Sequence, residues 1–323
     1  MPDSLTPPFE SLQHELWKNL IDHQEIPDGC LYHYTDATGL IGILSGGTLW
    51  ASHARYLNDA SELQYGSELV STLLSERQSK ATSSLVSQFI SGAKQVVNQR
   101  GSWTATRSDN VFRQAFVCCF CSDGDLLSQW RGYASRGSGY SIAFDGESIL
   151  EQAKQAYVQE HRLRRVIYDP KKQRMLTREV IDRIVTALLE CPQMLTDAEA
   201  NRYLVDALYV FSDLMTDYLS CFKHPGFREE HEWRIIRGLL IEESRSRLKF
   251  RSASGLIVPY IELQYDHPAS LGKKKLPILG VRSGPTAHRD LSMAALRSLL
   301  DHNGYSVVKV DVSASELPLR SSQ

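Results

Sequence analysis

Apolar residues recur along the chain in two periods, and the switches between them lay out the elements. Leu12, Leu16, Trp17, Leu20 and Ile21 share one face of a helix over 11–21, because positions three and four apart line up on a helix. The aromatic and β-branched run at 31–35 reads as a strand. Leu40, Ile41, Ile43 and Leu44 then make the apolar face of a short helix, with Asp36 or Thr38 as its cap and Gly46-Gly47 as its end. The next strand falls at 49–52. Helices follow over 60–78 and 83–99, then a buried strand over 111–121, a helical turn over 126–133 and an alternating strand over 140–144. A strand over 163–168 leads into a helical stretch over 171–222. Strand alternation resumes at 232–241, with Glu232, Arg234 and Ile236 on one face. Strands over 256–263, 276–281 and 306–312 and a helix over 291–302 close the chain. Strands with helices inserted among them predict an α+β fold. The expectation is a single compact domain over 1–323, a mixed sheet with peripheral helices and a helical insertion at about 171–222.

The composition changes this picture little. At 323 residues, 42% hydrophobic and 23% charged, the chain has material for a sizeable core. A formal net charge of -2 gives no overall basic field for nucleic acid. No apolar run approaches the length that crosses a bilayer, and MPDSLTPPFE lacks the pattern of a signal peptide. The expectation is a cytoplasmic protein with no membrane partner. Its six cysteines, Cys30, Cys118, Cys119, Cys121, Cys191 and Cys221, are then reduced. Cys118 and Cys121 form a C-x-x-C, but within a run of strand composition and without a second ligand pair. They read as buried thiols, and no metal is expected.

Chemistry concentrates in two places. The first strand delivers His33 just before a helix N-terminus, where free N–H groups and the helix dipole favour an anion or a nucleotide. Late in the chain, Glu230 and Glu232 stand two residues apart, followed by Arg234.

Several patterns together resemble a bacterial family, the domain of unknown function 2971. They are LYHYT, Leu57-Asn58-Asp59 with Glu62, Cys119-Phe120, and Leu127-Ser128-Gln129-Trp130 with Tyr133. The set continues through Gly139 to Asp145, Phe222-Lys223, Glu230-His231-Glu232-Trp233-Arg234-Ile235-Ile236 and the closing VDVSASELPLR. A more distant likeness carries chemistry. His33-x-Thr35, Ile43-Leu44 and Gly47-Thr48-Leu49 are similar to the opening of histidine-type ADP-ribosyltransferases, DNA-modifying toxins and RNA 2'-phosphotransferases among their relatives. Tyr34 stands where that pattern has glycine, and Thr48 is inserted into its Gly-Leu pair. The likeness implies an ADP-ribosyltransferase-like sheet and NAD as substrate. It also implies a protein or nucleic-acid acceptor, and a setting as toxin or phage-defence effector, with an inhibitory or defence-system partner as a further expectation.

Cleaving the nicotinamide–ribose bond passes through an oxocarbenium-like state, which needs fixed ribose hydroxyls, an aromatic face and a carboxylate. The likeness assigns His33 and Thr35 to the ribose, Glu232 to the carboxylate and Glu230 to the acceptor. Tyr56, Tyr133 and Tyr140 are candidates for the aromatic face, and Tyr34, Asn58, Trp130, Arg131 and Arg234 for further cofactor contacts. Each has a structural alternative. His33 fits a hydrogen-bonded core histidine, Glu232 an ion pair with Arg234 or Arg131, Asn58-Asp59 with Glu62 a helix cap, and Trp130 plain packing. Two rival functions are a divalent-metal hydrolase or nuclease using Asp59, Glu62, Glu230 and Glu232, and a non-catalytic nucleotide-binding sensor.

Overall fold

The computed structural model describes residues 5–22, 25, 27–57, 61–99, 113–133, 139–155, 162–192, 194–253, 255–264, 275–286 and 288–318. In chain order the elements are α1 (Pro7–Asp22), β1 (Cys30–Thr35), α2 (Ala37–Gly46), β2 (Thr48–His53), α3 (Ser61–Gln78), α4 (Ser84–Gln99), β3 (Arg113–Cys121) and α5 (Leu127–Tyr133). Then come β4 (Tyr140–Asp145), α6 (Gly146–Gln155), β5 (Arg162–Arg165), α7 (Pro170–Leu189), α8 (Asp197–Cys221) and, after a 3₁₀ turn at Pro225–Glu230, β6 (Glu232–Leu240). The last are α9 (Ile241–Arg247), β7 (Lys249–Ala253), β8 (Leu256–Gln264), β9 (Ile278–Ser283), α10 (Arg289–His302) and β10 (Asp311–Ala314).

The strands form one mixed sheet in the order β10-β9-β4-β1-β3-β2-β8-β7, with β6 on the other edge of β3 and β5 beyond β6. The β9–β10 pair is parallel and the other pairs are antiparallel. Two strands share one edge of β3: β1 joins it at Tyr32↔Cys121, and β2 at Ser52↔Val117 and His53↔Phe116. Between those points β1 and β2 part, leaving a wedge opposite Cys118, Cys119 and Phe120.

Two apolar layers flank the sheet. On one face Leu31, Phe116, Phe120, Ile235, Ile261 and Val281 pack under α2, α6 and α10. The other layer is helical: α1, α3, α4, α7 and α8 bury Trp17, Leu73, Phe89, Ile184, Phe211 and Leu214 among themselves, and α8 lies on β3 and β6. The predicted insertion therefore resolves into two helices, of which α8 is the spine of a five-helix layer. Among the described residues no helix is long and apolar enough to cross a membrane.

Local chemistry explains several boundaries. Asp36 caps α2, its carboxylate accepting from Gly39 N at 2.7 Å. Gly47 ends that helix in the left-handed conformation, at φ 61°. A capping box of Thr196 and Glu199 starts α8. Three elements, α6, α9 and β7, are absent from the sequence reading. Helices α6 and α9 are short, and β7 points Phe250 outward at 63% exposure. The last strand begins at Asp311 rather than 306, because 307–310 form a turn.

Helix α8 carries Asp206, Asp213 and Asp217 into the interior, each with donors. Trp17 Nε1 donates to Asp213 at 2.8 Å, and Arg162 and Arg164 of β5 donate to Asp217 at 2.6 and 3.0 Å. Burial pushes the Asp217 carboxyl up, but the two guanidinium groups more than offset it, so it titrates below the ordinary range. Asp217→Ala is expected to cost about 3–5 kcal/mol, because it strands two arginines in a dry layer. Urea unfolding of the variant checks this, and a loss below about 1 kcal/mol would mean that solvent reaches both arginines.

Candidate active site

Strand β6 has both faces covered, by the apolar layer on one side and α8 on the other, so its charged residues are buried. His231 precedes it at φ 43°, the one left-handed non-glycine residue among those described. That reversal closes the 3₁₀ turn and lets Glu230 and Glu232 converge on one cation. Lys223 Nζ donates to Glu230 Oε2 at 2.5 Å and to Glu232 Oε2 at 2.9 Å. Arg234 grips the Glu232 carboxylate with both arms of its fork, Nε to Oε1 at 2.7 Å and Nη2 to Oε2 at 2.8 Å, while its Nη1 donates to Ser220 O at 2.8 Å. The Glu232 backbone N–H donates to the Tyr168 hydroxyl at 3.1 Å. Burial alone would raise the Glu232 carboxyl. Arg234, then Lys223 and the Cys119 thiol outweigh it and bring it down to about 2.

His33 has a different environment. Its Nδ1 lies 2.8 Å from Cys119 O, and a carbonyl can only accept, so Nδ1 carries the hydrogen and Nε2 keeps a lone pair. Burial lowers the imidazole's basicity, so the ring is neutral near pH 7. The ring tilts against Phe120 at 5.8 Å, with Cys118 Sγ 3.9 Å from Nδ1.

The ladder decides which of these groups share a face, since residues opposite each other in an antiparallel pair point the same way. Tyr32 opposes Cys121, and Cys121 and Cys119 oppose Glu232 and Arg234. Tyr32, Tyr34, Cys119, Cys121, Glu232 and Arg234 therefore share one face, and His33, Phe120 and Trp233 the other. His33 and Glu232 thus leave the sheet on opposite faces. They meet around a single residue: the Cys119 carbonyl takes the hydrogen of His33, and the Cys119 side chain lies on the Glu232 face, where its thiol helps hold the Glu232 carboxyl down. Both line one recess, with Tyr32, Tyr34, Cys119, Phe120, Cys121 and Gln129. Its space is about 20 Å³, and a water needs roughly 10–15 Å³ by that measure.

The other candidates divide. Tyr34 is locked, its hydroxyl donating to Asp123 O and accepting from Leu126 N, each at 2.9 Å. Trp130 meets Tyr34 edge-on at 4.7 Å and donates to Asp125 Oδ1 at 2.8 Å. Both hold the recess wall. Thr35 lies on the His33 face, directly under Gly39, where an added Cβ would fall 2.0 Å from its Oγ1. Tyr140 opposes Thr35 across β1–β4. Tyr56 packs on His53 at 5.9 Å, and Arg131 is exposed. Arg131 is thus not the partner of Glu232; Arg234 and Lys223 are. Asn58 and the Tyr133 side chain lie outside the described residues.

Two further expectations need correction. The α2 N-terminus does not stand open to an anion, because Asp36 already places a carboxylate there. Glu230 and Glu232 do not converge on an open cation site, because Lys223 lies between them. Asp59 and the Glu62 side chain lie outside the described residues, and among the rest no three His, Cys, Asp or Glu side chains are grouped to hold a metal. Cys118 and Cys121, three apart on a strand, point to opposite faces, and burial pushes both thiols up to about 12. Sequence reasoning gave no role to Lys223, Gln129 or Cys119. For Lys223 the available signal was a base followed by a Pro-Gly turn and an E-x-E-x-R run.

Residues 129–235 match the model of a family described as Protein of unknown function (DUF2971). The matched segment begins at Gln129 in the recess wall, takes in Lys223, Glu230, Glu232 and Arg234, and ends one residue later. The comparisons with curated proteins and with solved structures return no match.

The low Glu232 value fixes a pH dependence. Stability from its ionised form is full above the unfolded value of about 4.5 and is lost as pH falls toward the folded value of about 2. In ¹³C NMR of the labelled carboxyl, wild-type Glu232 should stay ionised at pH 4, and Arg234→Met should move its midpoint upward. A wild-type midpoint near the ordinary carboxylate value would show that the bidentate pair does not form in solution.

Proposed function

We propose that this chain, whose residues 129–235 match the DUF2971 family model, is an ADP-ribosyltransferase-like enzyme that cleaves NAD. It passes ADP-ribose to a protein or nucleic-acid acceptor, as a toxin or phage-defence effector. The observation that carries this reading is the approach of His33 and Glu232 to the two sides of Cys119, at one recess beside the β1–β2 wedge.

The chemistry follows from the states of these groups. Breaking the nicotinamide–ribose bond builds positive charge on the ribose carbon, and a fixed anion nearby stabilises that charge without reorganising. Glu232 is such an anion, ionised at any physiological pH and oriented by Arg234 and Lys223. With Nδ1 engaged, His33 offers Nε2 as an acceptor for a ribose hydroxyl, and Thr35 follows on the same face. Tyr32 supplies an aromatic wall. Glu230 is the more open of the two acids, its side chain 19% exposed against 5% for Glu232, which suits a role toward the acceptor.

A second reading draws on the same residues. The recess is small, and the Glu232 carboxylate already receives Arg234 and Lys223. A nucleotide-binding sensor without turnover would have this arrangement.

Incubation of the purified chain with labelled NAD and cell extract separates the two. Wild type should release nicotinamide or transfer label, and Glu232→Gln should lose roughly a hundredfold or more in rate while remaining folded by its melting curve. Because Glu232 stays ionised, the wild-type rate should show no loss assignable to it between about pH 8 and about pH 5. Heat protection by NAD with no consumption would move the assignment to the sensor. Neither protection nor consumption would remove NAD from the account.

A further inference from the structure

At the β2 margin of the wedge stands one more group that neither the family resemblance nor the Glu232 network uses. Strand β7, the edge strand, places Arg251 opposite Val258 of β8, two positions from Tyr260, which in turn opposes Ser52 of β2. Arg251, Val258, Tyr260 and Ser52 thus share a face, and Arg251 Nη2 donates to Ser52 Oγ at 3.0 Å. Its Nε is shielded from water and has no hydrogen-bond partner. Among the described residues Arg251 forms no ion pair. Its charge reaches His33 and Cys118 at the wedge, and the acid whose field reaches it, Asp36, is engaged as the α2 cap.

A guanidinium is costly to desolvate, and a half-buried arginine ordinarily has a carboxylate opposite it. Here it has one serine hydroxyl and an orphan N–H. The fork of Nε and Nη matches two oxygens of a phosphate, the pairing in which arginine outperforms lysine.

We propose that Arg251 is the anion-binding residue of the wedge, and that it takes a phosphate or pyrophosphate group of the nucleotide whose ribose meets His33. The assignment rests on the nucleotide reading above and adds the charged part of the ligand to it. The site takes phosphate-bearing nucleotides and discriminates against the bare nucleoside. Glu232 serves the ribose end, and Arg251 the phosphate end, from the far margin of the same sheet.

Calorimetry on the full chain tests this, with ADP-ribose, adenosine and inorganic pyrophosphate as probes against wild type, Arg251→Gln and Arg251→Lys. The expected result is that Arg251→Gln weakens ADP-ribose about tenfold or more and leaves adenosine unchanged, while Arg251→Lys restores part of the loss. Melting curves establish that the variants fold, which a half-buried edge position favours. If ADP-ribose binds wild type and Arg251→Gln alike, the assignment of Arg251 is overturned and the NAD reading stands. If pyrophosphate binds through Arg251 while adenosine and ADP-ribose do not bind, the anion site stands and the NAD reading falls. If wild type binds neither ADP-ribose nor pyrophosphate, the anion site is overturned.

Discussion

Each backbone position on the edge of a β-strand can pair with one neighbour at a time, and in this sheet two strands draw on the same edge of β3. Strand β1 holds the end near Cys121 and β2 the part near Val117. The carbonyl of Cys119 falls between them and would be an unsatisfied acceptor in a half-buried position, which is unfavourable. His33 supplies the missing donor. Its place, tautomer and neutral state all follow from that shared edge. The wedge is therefore a consequence of strand pairing, and the candidate chemistry lies where the backbone had a polar group left to satisfy.

On the other side of β3 the governing quantity is charge. Glu232, Arg234 and Lys223 are nearly inaccessible to solvent, and such groups survive burial when each is paired and hydrogen-bonded. The α8 backbone contributes through Ser220 O, and Tyr168 through its hydroxyl. This explains why the helical layer, remote from the wedge in sequence, matters to it. Helix α8 closes the dry compartment in which the carboxylate remains an anion.

Much of this was legible locally. The Asp36 cap, the Gly47 stop and the strand carrying His33 follow from residue chemistry within a few positions. The alternation that puts Glu232 and Arg234 on one face is realised, and it makes them a pair. Other features depend on pairing between distant segments, which local periodicity does not encode. That His33 and Glu232 occupy opposite faces depends on the β1–β3 and β3–β6 registers. The approach of Lys223 depends on a turn and on the left-handed His231. Arg251 was invisible for the same reason, because it reaches the wedge across β8 and β2. The likeness to histidine-type ADP-ribosyltransferases concerns one strand–helix–strand unit, and it is silent on where a late strand will dock.

The central β3–β6 ladder has a consequence for the history of the chain. Cys121 and Glu230, bonded through the thiol and a backbone carbonyl, stand 109 residues apart in sequence. Between them the chain makes α7 and α8, helices of local contacts that form early, whereas closing so long a loop costs entropy before any ladder bond compensates it. A nascent chain thus exposes the β3 edge and its cysteines until β6 has left the ribosome. The carboxylate, histidine and arginine of the candidate site can come together only after β6 and β7 have been made and have joined the sheet.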